Sequence, residues 1–311
     1  MPGIIAVTVD AVGYFSASRF RVMVSTGCNV EFNADYYANV GQQQISIALL
    51  PDGGGSMPLL TGVIDNTTID FRNDIAVLAG RDLSALLIDT DLAETFQNQT
   101  SAQIAQMIAT RHGLAAQIHP TKMMVGQYYD VDHARNILGL NSRVGNEWGL
   151  LCQLAQAEGY MVAVQGTTLI FQPPDESVAM MLPCTAFSNL AVDVANAVPQ
   201  SVRVKSWNCR QKRSIEASAG GAGRGMTSVR PNLGSDEALN MAQSELGVVL
   251  QHGRMMVGTM PGEAILQPGL RIGLYGTGSS FDRVYLVISV RRTIDQACGF
   301  QQTIRALCLS T

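Results

Sequence analysis

The sequence has 311 residues, of which 21 are Lys or Arg and 25 Asp or Glu, so 15% are charged and the formal net charge is −4. A soluble domain averages roughly 25% charged, about 78 residues at this length, so part of the surface is polar but uncharged, which suits burial against protein partners better than life as a free monomer. With 47% hydrophobic residues the chain can fill two or three cores; intrinsic disorder is excluded, and no apolar run reaches the ~18 residues that span a bilayer.

Charge is unevenly placed. Residues 1–79 hold three basic and seven acidic side chains, residues 80–185 five and ten, and residues 186–311 thirteen and eight, giving −4, −5 and +5. Of the 21 basic residues 18 are Arg, whose planar fork suits interfaces better than the Lys ammonium. The first Arg is Arg19, so the apolar start Ile4–Val9 lacks a basic flank and is not expected to act as a signal peptide. The sequons at Asn66 and Asn98 are accordingly expected to be chance matches. Cys28, Cys152, Cys184, Cys209, Cys298 and Cys308 form no CxxC pair, so reduced thiols behaving as small hydrophobes are expected and a zinc knuckle is excluded.

In chain order, Ile4–Val9, Phe20–Val24 and Ile45–Leu50 read as short strands separated by turn chemistry such as Pro51-Asp52-Gly53-Gly54-Gly55, with Thr61–Ile64 and Ile75–Leu78 as further candidates. The period then changes. Ile104, Met107 and Ile108 repeat at helical spacing after Thr100, which with Gln103 makes a capping box, and Gly113 marks the stop. A second helix is expected over Glu147–Glu158, capped by Asn146, with Trp148, Leu151, Leu154 and Ala155 on its apolar stripe and Gly159 as terminator. Tyr160–Val164 and Thr168–Phe171 read as a hairpin about Gly166, and Pro173-Pro174-Asp175 reads as a linker.

The last segment returns to strands. Val202 and Val204 alternate with Arg203, Lys205 and Trp207, and the glycine-rich stretch 220–225 reads as a flexible loop. Ser235 is expected to cap a helix with Asp236 and Glu237 in its first turn and Leu239, Ala242, Leu246 and Val249 on one face. The clearest strand follows, with Val284, Leu286, Ile288 and Val290 on one side and Tyr285, Val287, Ser289 and Arg291 on the other.

No nucleophile stands out. HExxH, GxxxxGK[ST], GxSxG and SxxK are all absent, and the glycines at 220–225 and 276–278 lack the strand-to-helix context of a phosphate site. His112, His119 and His133 with Asp130 and Asp132 are the one cluster with conceivable metal ligands, but their spacing fits no ligand pattern. Asp130 with Asp132, or Asp89 with Asp91, offers an acidic pair of the type glycoside hydrolysis uses. Arg203, Lys205, Arg210, Lys212 and Arg213 around Trp207 have the composition of a nucleic-acid surface; the expected alternative is a solvated or interface-facing strand edge with Trp207 turned inward. No catalytic, cofactor-binding or metal-binding residue is assigned, and no cofactor is expected.

The run from Leu78 to Asp89, with Gly80-Arg81-Asp82, Ser84, Leu87 and Asp89, resembles a passage of contractile-tail baseplate hub proteins, the family of phage late control protein D and the amino-terminal hub-like part of VgrG spikes. Gly62-Val63-Ile64-Asp65 resembles the family's early strand, and Glu147–Leu151 through Gly159-Tyr160 and Leu169–Phe171 its helix and hairpin. Pro268-Gly269-Leu270-Arg271-Ile272, Tyr285–Val290 and Gly299–Thr303 resemble its ending. The blocks keep the family's order over roughly residues 45–305. Departures are the unmatched stretch Gln117–Arg143 and Arg291-Arg292-Thr293 where the family carries a His. No fused lysozyme or spike is expected after Thr311, so a separate spike protein is.

The resemblance implies an α+β, β-rich fold: two tube-like β-barrel domains, residues 1–79 and 186–311, the latter with an inserted helix, and an intervening α/β domain at 80–185. It implies a trimeric ring with pseudo-six-fold symmetry, a structural and non-enzymatic baseplate hub that adapts a six-fold tail tube to a three-fold spike. Implied partners are two further copies of the chain, the tail tube protein, the central spike protein, and the tape measure and baseplate wedge proteins, with DNA only as passing cargo. The implied location is the tail baseplate of a virion or injection particle, after synthesis in the host cytoplasm. A cell-wall-degrading tail enzyme and a nucleic-acid-binding module remain the alternatives.

Overall fold

The structure, a computed structural model, describes all residues except 1–2, 14, 28–29, 51–53, 93, 95, 97, 122–123, 126–144, 209–211, 231–232, 252 and 310–311. Five strands open the chain: β1 (Gly3–Val12), β2 (Arg19–Ser25), β3 (Gln44–Leu49), β4 (Met57–Asp70) and β5 (Ile75–Asp82). Alternation decides which side is buried. Val7 and Val9, then Phe20, Val22 and Val24, then Ala76 and Leu78 turn to one core. A short helix, α1 (Ala34–Ala38), which the sequence reading lacks, closes this core with Tyr37; Asn33 caps it, accepting from the Tyr36 amide at 2.9 Å.

The middle of the chain holds α2 (Ser84–Ile88), β6 (Gln99–Thr100), α3 (Ser101–Arg111), β7 (Ala115–Ile118), β8 (Met124–Val125), α4 (Glu147–Glu158), β9 (Met161–Gln165) and β10 (Thr168–Gln172). The capping box of Thr100 and Gln103 is formed, Asn146 accepts from the Gly149 amide at 2.8 Å, and Gly159 terminates α4 at φ 70°, a left-handed conformation that favours glycine. The expected hairpin is β9–β10, and β7 adds to β10 in parallel. Trp148, Leu151, Leu154 and Ala155 are buried with Ile104 and Ile108 in one core between the helices and this sheet.

The remainder comprises β11 (Val178–Pro183), β12 (Asn189–Val194), β13 (Ser201–Asn208), β14 (Arg213–Gly220), β15 (Gly225–Val229), α5 (Ser235–Gln251), β16 (Arg254–Pro261), β17 (Arg271–Tyr275), β18 (Val284–Asp295) and β19 (Gly299–Cys308). Of the glycine-rich stretch, Gly220 ends β14 and Gly225 begins β15. Ser235 is the first helical residue; Gly234 precedes it, its amide donating to Glu237 at 2.7 Å and its carbonyl accepting from Ala238 at 2.9 Å. The buried stripe of α5 is Ala238 and Ala242 with Met241 and Leu246, while Leu239 is 41% exposed.

One 11-stranded sheet runs β12-β16-β19-β18-β1-β2-β5-β4-β3, with β17 and β11 branching from β18. Its midpoint is the antiparallel pairing of β1 with β18, from Ala6 opposite Asp295 to Val12 opposite Ser289. Strand β18 corrects the expected faces. Its register against β19 shifts between Val287 and Ser289, and a bulge moves every later side chain to the other side. Tyr285, Val287, Val290 and Arg292 are therefore all buried, while Leu286, Ile288 and Arg291 lie on the opposite face.

The fold is β-rich with few helices and large antiparallel sheets. Among the described residues no helix is long and apolar enough to cross a membrane.

Candidate functional site

The segments that carried the resemblance converge on Arg81. Its Nε donates to Asp65 at 2.7 Å and its Nη2 to Asp65 at 2.9 Å and to Asp89 at 2.8 Å. These two carboxylates hold its guanidinium protonated well above the ordinary arginine value. Next to it, Gly80 packs so tightly that a Cβ would collide with the Val63 carbonyl oxygen and lie 2.7 Å from the Phe20 ring. Asp82 is buried at the end of β5 and accepts from the Ser18 amide at 2.7 Å, the Ser84 amide at 3.0 Å and the Ser84 hydroxyl. Burial raises its carboxyl above the usual range in spite of those bonds. The Gly80-Arg81-Asp82-Leu83-Ser84 passage is thus a joint between the first core and the middle one, and Asp89, half of one candidate acidic pair, is an ion-pair partner of Arg81.

A second buried carboxylate was not anticipated. Glu147, fully sealed at the first position of α4, accepts from Arg111 and faces His112 Nε2 at 2.5 Å, while Arg111 also meets Glu94 at 2.6 Å. The cluster ties the end of α3 to the start of α4. The signal available in sequence was Glu147 directly after an Asn cap, where a carboxylate faces the helix dipole.

The other candidates separate. His119 lies 3.1 Å from the Tyr160 hydroxyl and edge-on to that ring; Asp130, Asp132 and His133 fall outside the described residues, as do Cys28 and Cys209. Among the described residues no three His, Cys, Asp or Glu side chains gather as a metal would require. Cys152, Cys184, Cys298 and Cys308 are free thiols, and burial pushes Cys152 up to about 12.

The expected inward Trp207 is corrected. Strand β13 is the centre of the three-stranded sheet β14-β13-β15, not an edge. Val202, Val204, Ser206 and Asn208 turn toward α5, where Ser206 accepts from the Leu233 amide at 2.9 Å and Asn208 donates to its carbonyl at 3.0 Å. Period two then sends Arg203, Lys205 and Trp207 outward. Trp207 is 57% exposed, Lys205 pairs with Glu216 at 2.8 Å, and Val229 of β15, opposite Lys205, is 75% exposed. Arg210 lies outside the described residues.

A cleft of about 1250 Å³ lies between the outer face of β1, β18 and β19 and the helix α5 with β15. A smaller one of about 290 Å³ lies at the end of β1, with Asp82, Gln267 and Arg292 in its wall. Arg292 is buried, donating to the carbonyls of Leu266 and Ala264, and burial lowers its basicity.

The architecture is shared with solved structures over nearly its whole length. A tail protein from Neisseria meningitidis MC58 superposes with a TM-score of 0.74 at 15% identity, covering 98% of this chain and 92% of that one. The fold is that of phage tail proteins. The 43 kDa tail protein of prophage MuSo2 from Shewanella oneidensis gives 0.72 at 15% identity with the same coverage. The Escherichia coli c3393 protein, a component of the type VI secretion system described as similar to the T4 tail proteins gp27 and gp5, gives 0.63 at 14% identity, covering 100% of this chain and 74% of that one. No protein-family model matches the chain, and no curated protein matches it.

Proposed function

We propose that the chain is a non-enzymatic structural hub of a phage-type tail, a homotrimer whose ring adapts a six-fold tail tube to a three-fold spike. In this reading residues 1–79 and 186–311 form the two tube-like barrels of each chain and residues 80–185 the α/β domain between them. The observation that carries it is the single sheet that passes from one half of the chain to the other through β1 and β18, in a fold shared with tail proteins over 98% of the chain. That sheet ends at β3 and β12 along its main path and at β11 on its branch, and such edge strands suit heterologous, ring-closing contacts. The uncharged polar surface and the opposite net charges of the first and last segments suit neighbour selection. The tube, spike, tape measure and wedge proteins are the proposed partners, and the tail baseplate the proposed location.

Native mass measurement tests this: three chains of 33.3 kDa should travel together, and particles viewed down the axis should show a six-lobed ring. A protein that stays monomeric at high concentration overturns the reading. One observation favours a second reading, a nucleic-acid surface: Trp207 stands outward beside Arg203 and Lys205. Steeply salt-dependent oligonucleotide binding lost in Trp207→Ala would support it.

A further inference from the structure

The large cleft has two walls of different chemistry. Leu286, Ile288 and Leu307 of the big sheet face Met241, Val248 and Val249 of α5 across it. Charged residues sit among them, and the two acids are already engaged: Asp10 with Arg291 at 2.5 and 3.0 Å, and Glu245 with Arg230 at 2.9 Å. The guanidinium groups of two cations of the same cleft, Arg19 and Arg305, make no hydrogen bond or ion pair among the described residues. The ladder places them on one face. Arg19 is opposite Asp10, Asp10 is opposite Arg291, and Ser289, two residues before Arg291, is opposite Arg305. Three interstrand steps and a two-residue offset separate them by roughly 16 Å, which an extended chain covers in about five residues.

From this arrangement we infer that the cleft is a docking site for an acidic, amphipathic peptide segment of a partner protein. Two carboxylates about four residues apart, which share one face of an extended chain and lie within reach of the long arginine side chains, pair with Arg19 and Arg305, and the apolar side chain between them on that face lies on Ile288 and α5. Apolar walls that include Asp10 and Glu245 favour a peptide over nucleic acid, whose phosphates need a continuous cationic track. The site lies within one chain and does not rest on the ring reading.

The probe is a fluorescein-labelled peptide of alternating Val and Thr bearing two Glu in place of Val about four residues apart, so that both lie on one face, titrated against the full chain by fluorescence anisotropy. Saturable binding is expected, weakened roughly tenfold or more when both Glu are replaced by Gln, a change that leaves the protein untouched. Arg19→Glu with Arg305→Glu should lose the acidic peptide and bind a version carrying Lys at the same two positions. Absence of binding, or binding indifferent to the Glu-to-Gln change, overturns the inference. So does displacement of the peptide by an oligonucleotide in an Arg305-dependent way, or self-association that Arg305→Glu abolishes, since the cleft then belongs to nucleic acid or to a second copy.

Discussion

Arg81 and Asp65 meet fork to fork, Nε to Oδ2 at 2.7 Å and Nη2 to Oδ1 at 2.9 Å, across the β4–β5 ladder. Both side chains are about one-quarter exposed, so the pair is partly shielded from water, and Asp89 shares the same guanidinium. Arg81→Met leaves two neighbouring carboxylates without their cation and should cost about 1–2 kcal/mol after allowance for solvent. Arg81→Lys should recover only part, because a single ammonium does not reproduce the fork. Urea denaturation midpoints of the three proteins check the order.

Gly80 has no room for a side chain. Gly80→Ala drives a methyl into the Val63 carbonyl and the Phe20 ring, and a cost of about 3 kcal/mol is expected, since neither backbone nor packed ring yields cheaply. Gly55→Ala, with open space around the Cβ position, is the control, and thermal unfolding separates them.

Asp82 should give an unusual pH dependence. Its folded carboxyl is raised above the ordinary value by burial, so the folded state holds the proton more tightly than the unfolded one. Its contribution to stability is fully present below an unfolded value of roughly 3.9 and is lost as pH rises through the folded value. The stability of the native chain relative to Asp82→Asn should therefore fall with rising pH across that window. A difference that grows with pH would show the hydrogen bonds from Ser18 and Ser84 outweighing burial.

The two faces of β13 should respond oppositely. Trp207→Ala removes an exposed ring and should change stability by no more than about 0.5 kcal/mol, whereas Val204→Ala, at a fully buried position, should cost about 2 kcal/mol. If the outer face is covered on assembly, Trp207→Ala should weaken association while folding is untouched, because an exposed Trp beside an Arg is the composition of an interface hot spot. Sedimentation and calorimetry on the same samples distinguish the two effects.

Local chemistry was the legible part of the chain. Thr100 with Gln103, and Asn146 with Gly159, announce helix ends because a cap is a contact between residues a few positions apart. Alternation likewise put Val202 and Val204 on one face of the strand and Arg203, Lys205 and Trp207 on the other. It could not say which of the two faces is covered, because that depends on the second layer, and α5 packs only on the valine side. The faces of β18 were misassigned after Val287 because a bulge is a property of pairing with β19 and leaves no mark on β18 alone. Gly62-Val63-Ile64-Asp65 and Asp89 are separate signals in the sequence; the β4–β5 register brings Asp65 to Arg81, and α2 folding back after β5 brings Asp89 there. Glu147 was passed over because its partners lie 35 and 36 residues away.

The pairing of β1 with β18 also orders events in time. Asp10 of β1 and its partner Arg291 of β18 are 281 residues apart, so at ~5–20 residues per second the interval between their syntheses is roughly 15–60 s. Throughout it β1 can pair with β2, but the edge that will receive β18 stays open. The first half of the sheet must therefore wait, with one side unfinished, until β18 is made, and long-range closure of this kind is slow even afterwards. That waiting edge is where a neighbouring nascent chain can be captured wrongly, and where a chaperone has the most to protect.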